Sequence, residues 1–287
     1  MRLTGIIGHP VGHSLSPVFQ SAAFRESGLD VSYEAWDTPP EALAGRVVSL
    51  VDPKYLGANV TIPHKERVIP MLDELGGQSA RVGAVNTIVN RGGRLYGFNT
   101  DGPGFVSSLR NEAAFAPAGK RILLLGAGGA ARGIAFALAE GRAEEVAIHN
   151  RTHARAAKLA GDVEAAGGTV SAPSELSALE RYDCVVNCTS VGMAGTAAGG
   201  LPCDVRQLRS DALVVDIVYT PAETPFLRAA RAAGLRTLPG LPMLIHQGAL
   251  AFELWTGVHA PVDVMHEAAR KALADREARA RAPEAAE

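Results

Sequence analysis

The chain has 287 residues, 47% of them hydrophobic and 20% charged, which is long for one domain and comfortable for two. Its 28 basic and 30 acidic residues leave a formal net charge of −2, so no electrostatic case exists for nucleic acid or a membrane surface. No apolar run reaches the roughly 18 residues of a transmembrane span. No signal peptide is expected ahead of Met1-Arg2-Leu3-Thr4, and a cytoplasmic protein is expected.

The first hundred residues alternate strand and helix. Leu3 to Ile7 reads as a strand, followed by a loop of Gly, Pro, His and Ser to Pro17. Ser16 before Pro17 is a helix-start signal, a capping hydroxyl followed by a proline at the first helical position. Val31 to Trp36 is the next strand and Pro40 to Leu50 the next helix. Tyr55 to Ile62 is a strand that breaks at Pro63, and a helix is expected from Pro63 to the pair Gly76-Gly77. Val85–Val89 and Arg94–Phe98 flank Asn90-Arg91-Gly92-Gly93, a hairpin signal. Asn99 to Pro103 is a turn into a helix from Gly104 to Leu109, and Ala113 to Gly119 is a linker.

A second unit begins with Arg121-Ile122-Leu123-Leu124-Leu125, an unbroken apolar strand. Gly126-Ala127-Gly128-Gly129-Ala130-Ala131 follows at once, then Ile134, Ala135, Phe136 and Leu138 at helical spacing, then the strand Val146-Ala147-Ile148. Strand, glycine turn, helix and strand make the unit that binds a dinucleotide pyrophosphate. Gly126 permits the tight turn, Gly128 lets the backbone approach the phosphates, and Ala131 keeps the helix close to the strand. The free N–H groups of the first helical turn face the anion. A site for NAD would carry an acid at the end of the second strand. This chain has Asn150, Arg151 and Thr152, with Arg155 one turn on, a set that favours the 2′-phosphate of NADP.

Further strands are expected around Val170, at Cys184–Asn187, at Leu213–Val218 and at Leu235–Leu238, giving a parallel, doubly wound sheet. Met243 to Ala274 is helical text, expected to return to the first domain. The expected division is 1–101 with 243–287 for substrate and catalysis, and 102–242 for the cofactor. The Ala/Glu/Arg-rich tail from Arg276 is expected to fray, and the Gly/Ala-rich loop Ala194 to Pro202 to be mobile. Cys184, Cys188 and Cys203 match no zinc spacing and read as reduced thiols; no metal is expected.

Several residues could carry chemistry. Ser14 and Ser16 beside a helix start could hold a small carboxylate, or only cap and close a turn. Lys65 falls in the first turn of the helix expected after Pro63, where a cation is disfavoured; a lysine there is poised to exchange a proton. It could equally turn to solvent. Asp101 heads another helix and reads as a cap, or as a carboxylate that orients a lysine. Asn59, Thr61 and Asn86 lie at strand ends, where amides and hydroxyls can bind sugar-like hydroxyls.

Taken in order, Ser14-Leu15-Ser16-Pro17, Asn59 to Lys65, Gly83-Ala84-Val85-Asn86-Thr87, Gly97 to Asp101, Gly126 to Ala130, Asn150-Arg151-Thr152 and Gly240 to Gln247 resemble shikimate dehydrogenase from end to end. The resemblance implies an α/β fold of two domains, an N-terminal α/β substrate domain and a Rossmann-type NADP-binding domain. It also implies reversible reduction of 3-dehydroshikimate to shikimate by NADPH, in aromatic amino acid biosynthesis. Ser14 and Ser16 would hold the carboxylate; Asn59, Thr61, Asn86, Asp101 and Gln247 would hold the ring hydroxyls. Lys65 would pass the proton with Asp101 orienting it, and Tyr219 would reach toward substrate and nicotinamide. Gly126, Ala127, Gly128, Gly129 and Ala130 would take the pyrophosphate, and Asn150, Arg151, Thr152 and Arg155 the 2′-phosphate. Thr189, Ile217, Gly240 and Met243 would line the nicotinamide.

Cys188, where the family pattern has alanine, is a small departure. Ser16, where some quinate-using relatives carry threonine, favours shikimate. The alternatives are a quinate/shikimate dehydrogenase using NAD and a non-catalytic NADP-binding sensor. Small molecules are the only partners expected, with no nucleic acid and no membrane, for a monomer or homodimer.

Overall fold

The computed structural model describes residues 1–195 and 200–281, and the chain divides into two compact units, Met1–Thr100 with Gly248–Glu287, and Asp101–Gln247. Residues 196–199 of the loop expected to be mobile lie outside the described residues.

In the first unit, strand β1 (Arg2–Gly8), helix α1 (Ser16–Glu26) and strand β2 (Val31–Asp37) form a crossover. Its two strands pair in parallel from Arg2↔Val31 to Gly8↔Asp37. Helix α2 (Leu43–Ser49) leads to β3 (Gly57–Val60), the short β4 (Glu74–Leu75), the one-turn α3 (Ser79–Val82), β5 (Thr87–Arg91) and β6 (Arg94–Phe98). These make a six-stranded mixed sheet in the order β2-β1-β3-β5-β6-β4. The β5–β6 hairpin turns on Gly92 and Gly93 at φ of 62° and 87°, positive values that a two-residue turn with the twist of its strands demands. Ile7, Leu50, Val60, Val68, Val85 and Ile88 fill the core on one face.

Three sequence expectations fail here. The helix expected after Pro63 is absent: residues 62–68 are successive turns and only Ile69–Met71 forms a 3₁₀ turn. Pro70, in mid-segment, has no N–H to give and crowds the carbonyl one turn back, so an α-helix cannot run through it. The same segment is instead tied to the sheet by Val85 N–H donating to the Lys65 carbonyl at 2.8 Å. Ser16 does not cap α1 but begins it; the Ser14 hydroxyl accepts the Ser16 N–H at 3.1 Å. The tail does not fray from Arg276 to Arg281, and residues 282–287 of it lie outside the described residues. Helix α9 (Val262–Arg281) continues through it, and the Arg276 guanidinium donates to the carbonyls of His13 at 2.6 Å and Ser14 at 3.2 Å.

The second unit opens with α4 (Asp101–Ala113), which starts three residues before the expected helix. Pro103 sits in its first turn, where a missing N–H costs nothing. Then come β7 (Arg121–Leu125), α5 (Gly129–Glu140), β8 (Glu145–His149), α6 (His153–Ala165), β9 (Val170–Ser171), β10 (Cys184–Asn187), β11 (Leu213–Asp216), α7 (Pro225–Ala232) and β12 (Arg236–Leu238). All six strands are parallel, in the order β12-β11-β10-β7-β8-β9. Counted within the unit this is the doubly wound Rossmann order, with its switch point between β7 and β10. Buried residues on both faces explain why these strands read as continuous apolar runs. Helix α8 (Gly240–Thr256) begins in this unit and ends in the first, where α9 packs on α1.

Candidate active site

The first unit gathers its polar groups at the ends of β3 and β5. Asn59, at 5% exposure, donates through Nδ2 to the Asn86 carbonyl and to Thr87 Oγ1, both at 3.2 Å. Its Oδ1 accepts from the Tyr33 hydroxyl at 2.7 Å. Asn86 donates to Thr100 Oγ1 at 2.9 Å and accepts the Thr100 N–H at 2.8 Å. Ser16 is buried at the start of α1. Burial pushes the Tyr33 phenol far up, so it stays protonated. The network thus holds hydroxyls and carboxamides with their donors and acceptors fixed in advance. Such a surface suits a neutral polyol better than a cation.

The sequence expectations fare unequally at this site. Asn59 meets Asn86, and Ser14 meets Ser16 at the start of α1. Asn59 has both amide hydrogens engaged, so it can offer a ligand only an acceptor lone pair. Thr61 is half-buried, with its N–H on the Ile7 carbonyl at 2.8 Å. Lys65 is half-buried on a turn, so the helix-dipole argument for it fails; its place is fixed by the bond to Val85 instead. Beside it, the buried His64 Nε2–H donates to the Thr38 carbonyl at 2.7 Å. Tyr33, Thr87, Thr100 and His64 were not anticipated. Their one sequence signal is a polar residue at an inward position of an otherwise apolar strand or turn.

In the second unit the glycine turn follows β7. Gly126 has φ of +118°, and a Cβ there would lie 3.0 Å from the Cys188 backbone, so both conformation and close approach require glycine. At Gly128 and Gly129 an added Cβ would meet nothing within 4 Å, and both are exposed at the start of α5. Ala127 and Ala130 are half-buried beside them, while Ala131 is fully buried against the sheet. This open backbone cradle at a switch point fits a pyrophosphate. After β8, Asn150 Nδ2 donates to the Thr152 carbonyl at 2.9 Å, and the Arg155 N–H donates to the same carbonyl at 2.9 Å. Arg151, Thr152 and Arg155 are exposed.

At the ends of β10 and β11 a second network forms around the buried Asp216. Its Oδ1 accepts from Asn187 Nδ2 at 2.9 Å and Val218 N–H at 3.0 Å, and its Oδ2 accepts from Thr224 at 2.7 Å. Asn187 in turn accepts the Thr189 hydroxyl at 2.6 Å and its N–H at 3.0 Å. Thr189 and Ile217 are held by this web, and a Cβ on Gly240 would stand 2.3 Å from the Ile217 carbonyl. Met243 is buried, Tyr219 half-buried, and Gln247 Nε2 donates to the Leu244 carbonyl at 2.7 Å. Asp101 is buried in the first turn of α4. Asp216 and Thr224 were missed, because a carboxylate ending an apolar run reads from sequence as a strand end. Burial pushes the thiols of Cys184 and Cys188 upward and that of Cys203 up to about 12, so none is a ready nucleophile.

Sequence comparison agrees with this geometry. Three family profiles match, described as the substrate-binding domain of shikimate dehydrogenase over residues 6–88, shikimate/quinate 5-dehydrogenase over 110–221 and the shikimate 5-dehydrogenase C-terminal domain over 240–270. The NADP(+) shikimate dehydrogenase of Moorella thermoacetica is 48% identical over 277 residues, 94% of this chain and 93% of its own. That of Methanopyrus kandleri is 45% identical over 273 residues, 93% of this chain and 94% of its own. The crystal structure of shikimate 5-dehydrogenase from Thermus thermophilus, in complex with NADP(H) and shikimate, superposes with a TM-score of 0.86 at 43% identity. It covers 95% of this chain and 100% of that one. With these relatives covering nearly its whole length, the chain belongs to the NADP-dependent shikimate dehydrogenase family of oxidoreductases.

Proposed function

We propose that this chain catalyses the reversible NADPH-dependent reduction of 3-dehydroshikimate to shikimate in aromatic amino acid biosynthesis. The residues 1–101 with 243–287 take the substrate and 102–242 take the cofactor. The observation that carries the reading is the fixed, uncharged network around Asn59 and Asn86, which offers a polyhydroxylated ring directional partners and no competing charge. Ser14 and Ser16 take the carboxylate. Asn59, Thr61, Asn86, Asp101 and Gln247 take the ring hydroxyls, Asn59 as an acceptor. Lys65 gives its Nζ proton to the carbonyl oxygen, Asp101 orients it, and Tyr219 lies toward the reacting carbon.

NADPH, when bound, supplies the hydride. Gly126 to Ala130 present backbone to its pyrophosphate, and Thr189, Ile217, Gly240 and Met243 hold the nicotinamide side. Asn150, Arg151, Thr152 and Arg155 receive the 2′-phosphate, where guanidinium groups pair with a dianion and a carboxylate would repel it.

No helix among the described residues is long and apolar enough to cross a membrane. The proposal extends to a cytoplasmic enzyme working as monomer or homodimer, which sedimentation and cell fractionation decide. The central test is the reduction of NADP in the presence of shikimate, run beside NAD and quinate. Turnover with NADP and shikimate is expected. Preference for NAD and quinate would hand the assignment to a quinate dehydrogenase, and NADP binding without turnover would make the chain a sensor.

A further inference from the structure

The reaction as proposed leaves the carboxylate of Asp216 without a task, although it is wholly buried. Its three donors are all neutral: the Asn187 amide, the Val218 N–H and the Thr224 hydroxyl. A buried acid held by neutral groups is costly to keep. Its place in the sheet shows what it joins. Asp216 and Asn187 are the last residues of the parallel strands β11 and β10, and they pair directly across the sheet. The Asn187 amide cannot turn over. Its Nδ2 hydrogens go to Asp216 Oδ1 at 2.9 Å and the Val191 carbonyl at 3.1 Å, while its Oδ1 accepts the N–H and the hydroxyl of Thr189. Thr189 Oγ1 in turn accepts the Val191 N–H at 3.1 Å, which closes residues 187–191 into one rigid turn. On the other strand, Ile217 N–H donates to the Asn187 carbonyl at 3.1 Å, one residue before the Val218 N–H that Asp216 holds. Thr224, the cap of α7, fixes Oδ2 and so ties the carboxylate to a helix. The Thr189 turn lies against the glycine turn, since a Cβ on Gly126 would come 3.1 Å from Thr189 Cγ2.

We propose that Asp216 is a positioning residue for hydride transfer: through Asn187 and Val218 it fixes the turns after β10 and β11, and with them Thr189 and Ile217, at the nicotinamide half of the cofactor. The proposal rests on the reading in which those two residues meet the nicotinamide. A carboxylate suits the task because it only accepts, so Oδ1 can take a donor from each turn while Oδ2 takes a third from the helix. A side chain without those oxygens leaves the Asn187 amide, the Val218 N–H and the Thr224 hydroxyl to find new acceptors inside the protein. Thr189 then moves with Asn187, because both of its bonds to the amide oxygen are carried along. The end of β8, where Arg151 and Arg155 follow, is two strands away from β10 and shares none of these bonds.

The test is Asp216→Ala in the full chain, assayed with shikimate and NADP beside inhibition by adenosine 2′,5′-bisphosphate, which carries the 2′-phosphate and no nicotinamide. The kcat/KM for NADP should fall about tenfold, because a small misplacement of the reacting ring is costly to the rate. The inhibition constant of the bisphosphate and the KM for shikimate should stay within about twofold. Asp216→Asn should recover kcat/KM to within about threefold of the unmodified protein, since its Oδ1 still accepts from Asn187 and Val218. An equal loss of bisphosphate binding would make Asp216 a structural residue only and overturn the proposal. An unchanged kcat/KM overturns it too, as does an asparagine variant no better than alanine. If the alanine variant does not fold, Thr224→Val, which keeps its shape and releases Oδ2, should lower kcat/KM for NADP at least about twofold at constant bisphosphate inhibition. An unshifted kcat/KM there overturns the proposal equally. An unmodified protein that never reduces NADP with shikimate defeats the functional reading itself. An active one indifferent to Asp216→Ala removes only this inference.

Discussion

The two units present their polar groups by opposite means. The first uses side chains that are almost buried and already bonded to one another: Asn59, Asn86, Thr87 and Thr100. The second uses backbone stripped of side chains, with Gly128 and Gly129 exposed and nothing near the Cβ they lack. The difference suits the ligands proposed for them. A ring of hydroxyls must be told from its isomers, which needs donors and acceptors of fixed direction. A pyrophosphate needs only several N–H groups and room to approach. Substitutions should therefore act on rate and discrimination in the first unit, and on cofactor affinity and folding in the second.

The largest expected effect comes from Lys65→Ala. Removing a proton donor used only in the transition state should lower kcat about a hundred- to ten-thousandfold, with KM for shikimate within a few-fold. Steady-state kinetics decide it; a large rise in KM at constant kcat would make Lys65 a binding group and blur the contrast between the units. Next comes Arg151→Ala, which should raise KM for NADP by about tenfold or more and leave NAD turnover alone, since only the 2′-phosphate loses a charged partner. Equal losses with both cofactors would place Arg151 elsewhere.

A pair of glycine substitutions sharpens the comparison within one turn. Gly126→Ala puts a Cβ at φ of +118° and 3.0 Å from the Cys188 backbone. It should cost about 1–3 kcal/mol of stability, read as a lower melting temperature. Gly128→Ala has ordinary dihedrals and open space, so the fold should keep its melting temperature while KM for NADP rises. If both variants melt like the unmodified protein, the strain argument for Gly126 is wrong.

How far the sequence carried depended on how local the determining forces are. Arg121–Leu125, Cys184–Asn187 and Leu213–Asp216 are strands buried on both faces, and continuous apolar runs announce that without reference to anything distant. The glycine turn was legible for the same reason. Residues 62–72 were not, because their apolar spacing mimics a helix while Pro70 and the long-range bond from Val85 to the Lys65 carbonyl dictate turns. Lys65 was therefore singled out for a helix end that does not exist. The Tyr33 and Asp216 networks join residues 26 and 29 positions apart, Tyr33 to Asn59 and Asn187 to Asp216, which no local pattern encodes. Arg276 was read as part of a loose tail because its partners, the carbonyls of His13 and Ser14, lie more than 260 residues away.

Asp216 separates the units most subtly, because it puts a buried carboxylate at the centre of the second network, where the first is built from amides and hydroxyls. Burial raises its pKa above the ordinary 3.8, against the opposing pull of three donors, Thr224 foremost. A carboxyl whose folded pKa is raised contributes stability below the unfolded value, and that contribution is lost as pH rises through the folded value. Asp216→Asn cannot titrate. It keeps an acceptor for Asn187 and Val218 but turns an amide toward Thr224, a fixed loss of about 1 kcal/mol. The melting temperature of the unmodified protein, measured against the variant, should therefore fall steadily as pH climbs from about 3.5 toward 7. A gap that stays constant over that range would show Asp216 titrating alike in the folded and unfolded chains. The donors from Asn187, Val218 and Thr224 would then offset its burial completely, leaving the second network as neutral in its energetics as the first.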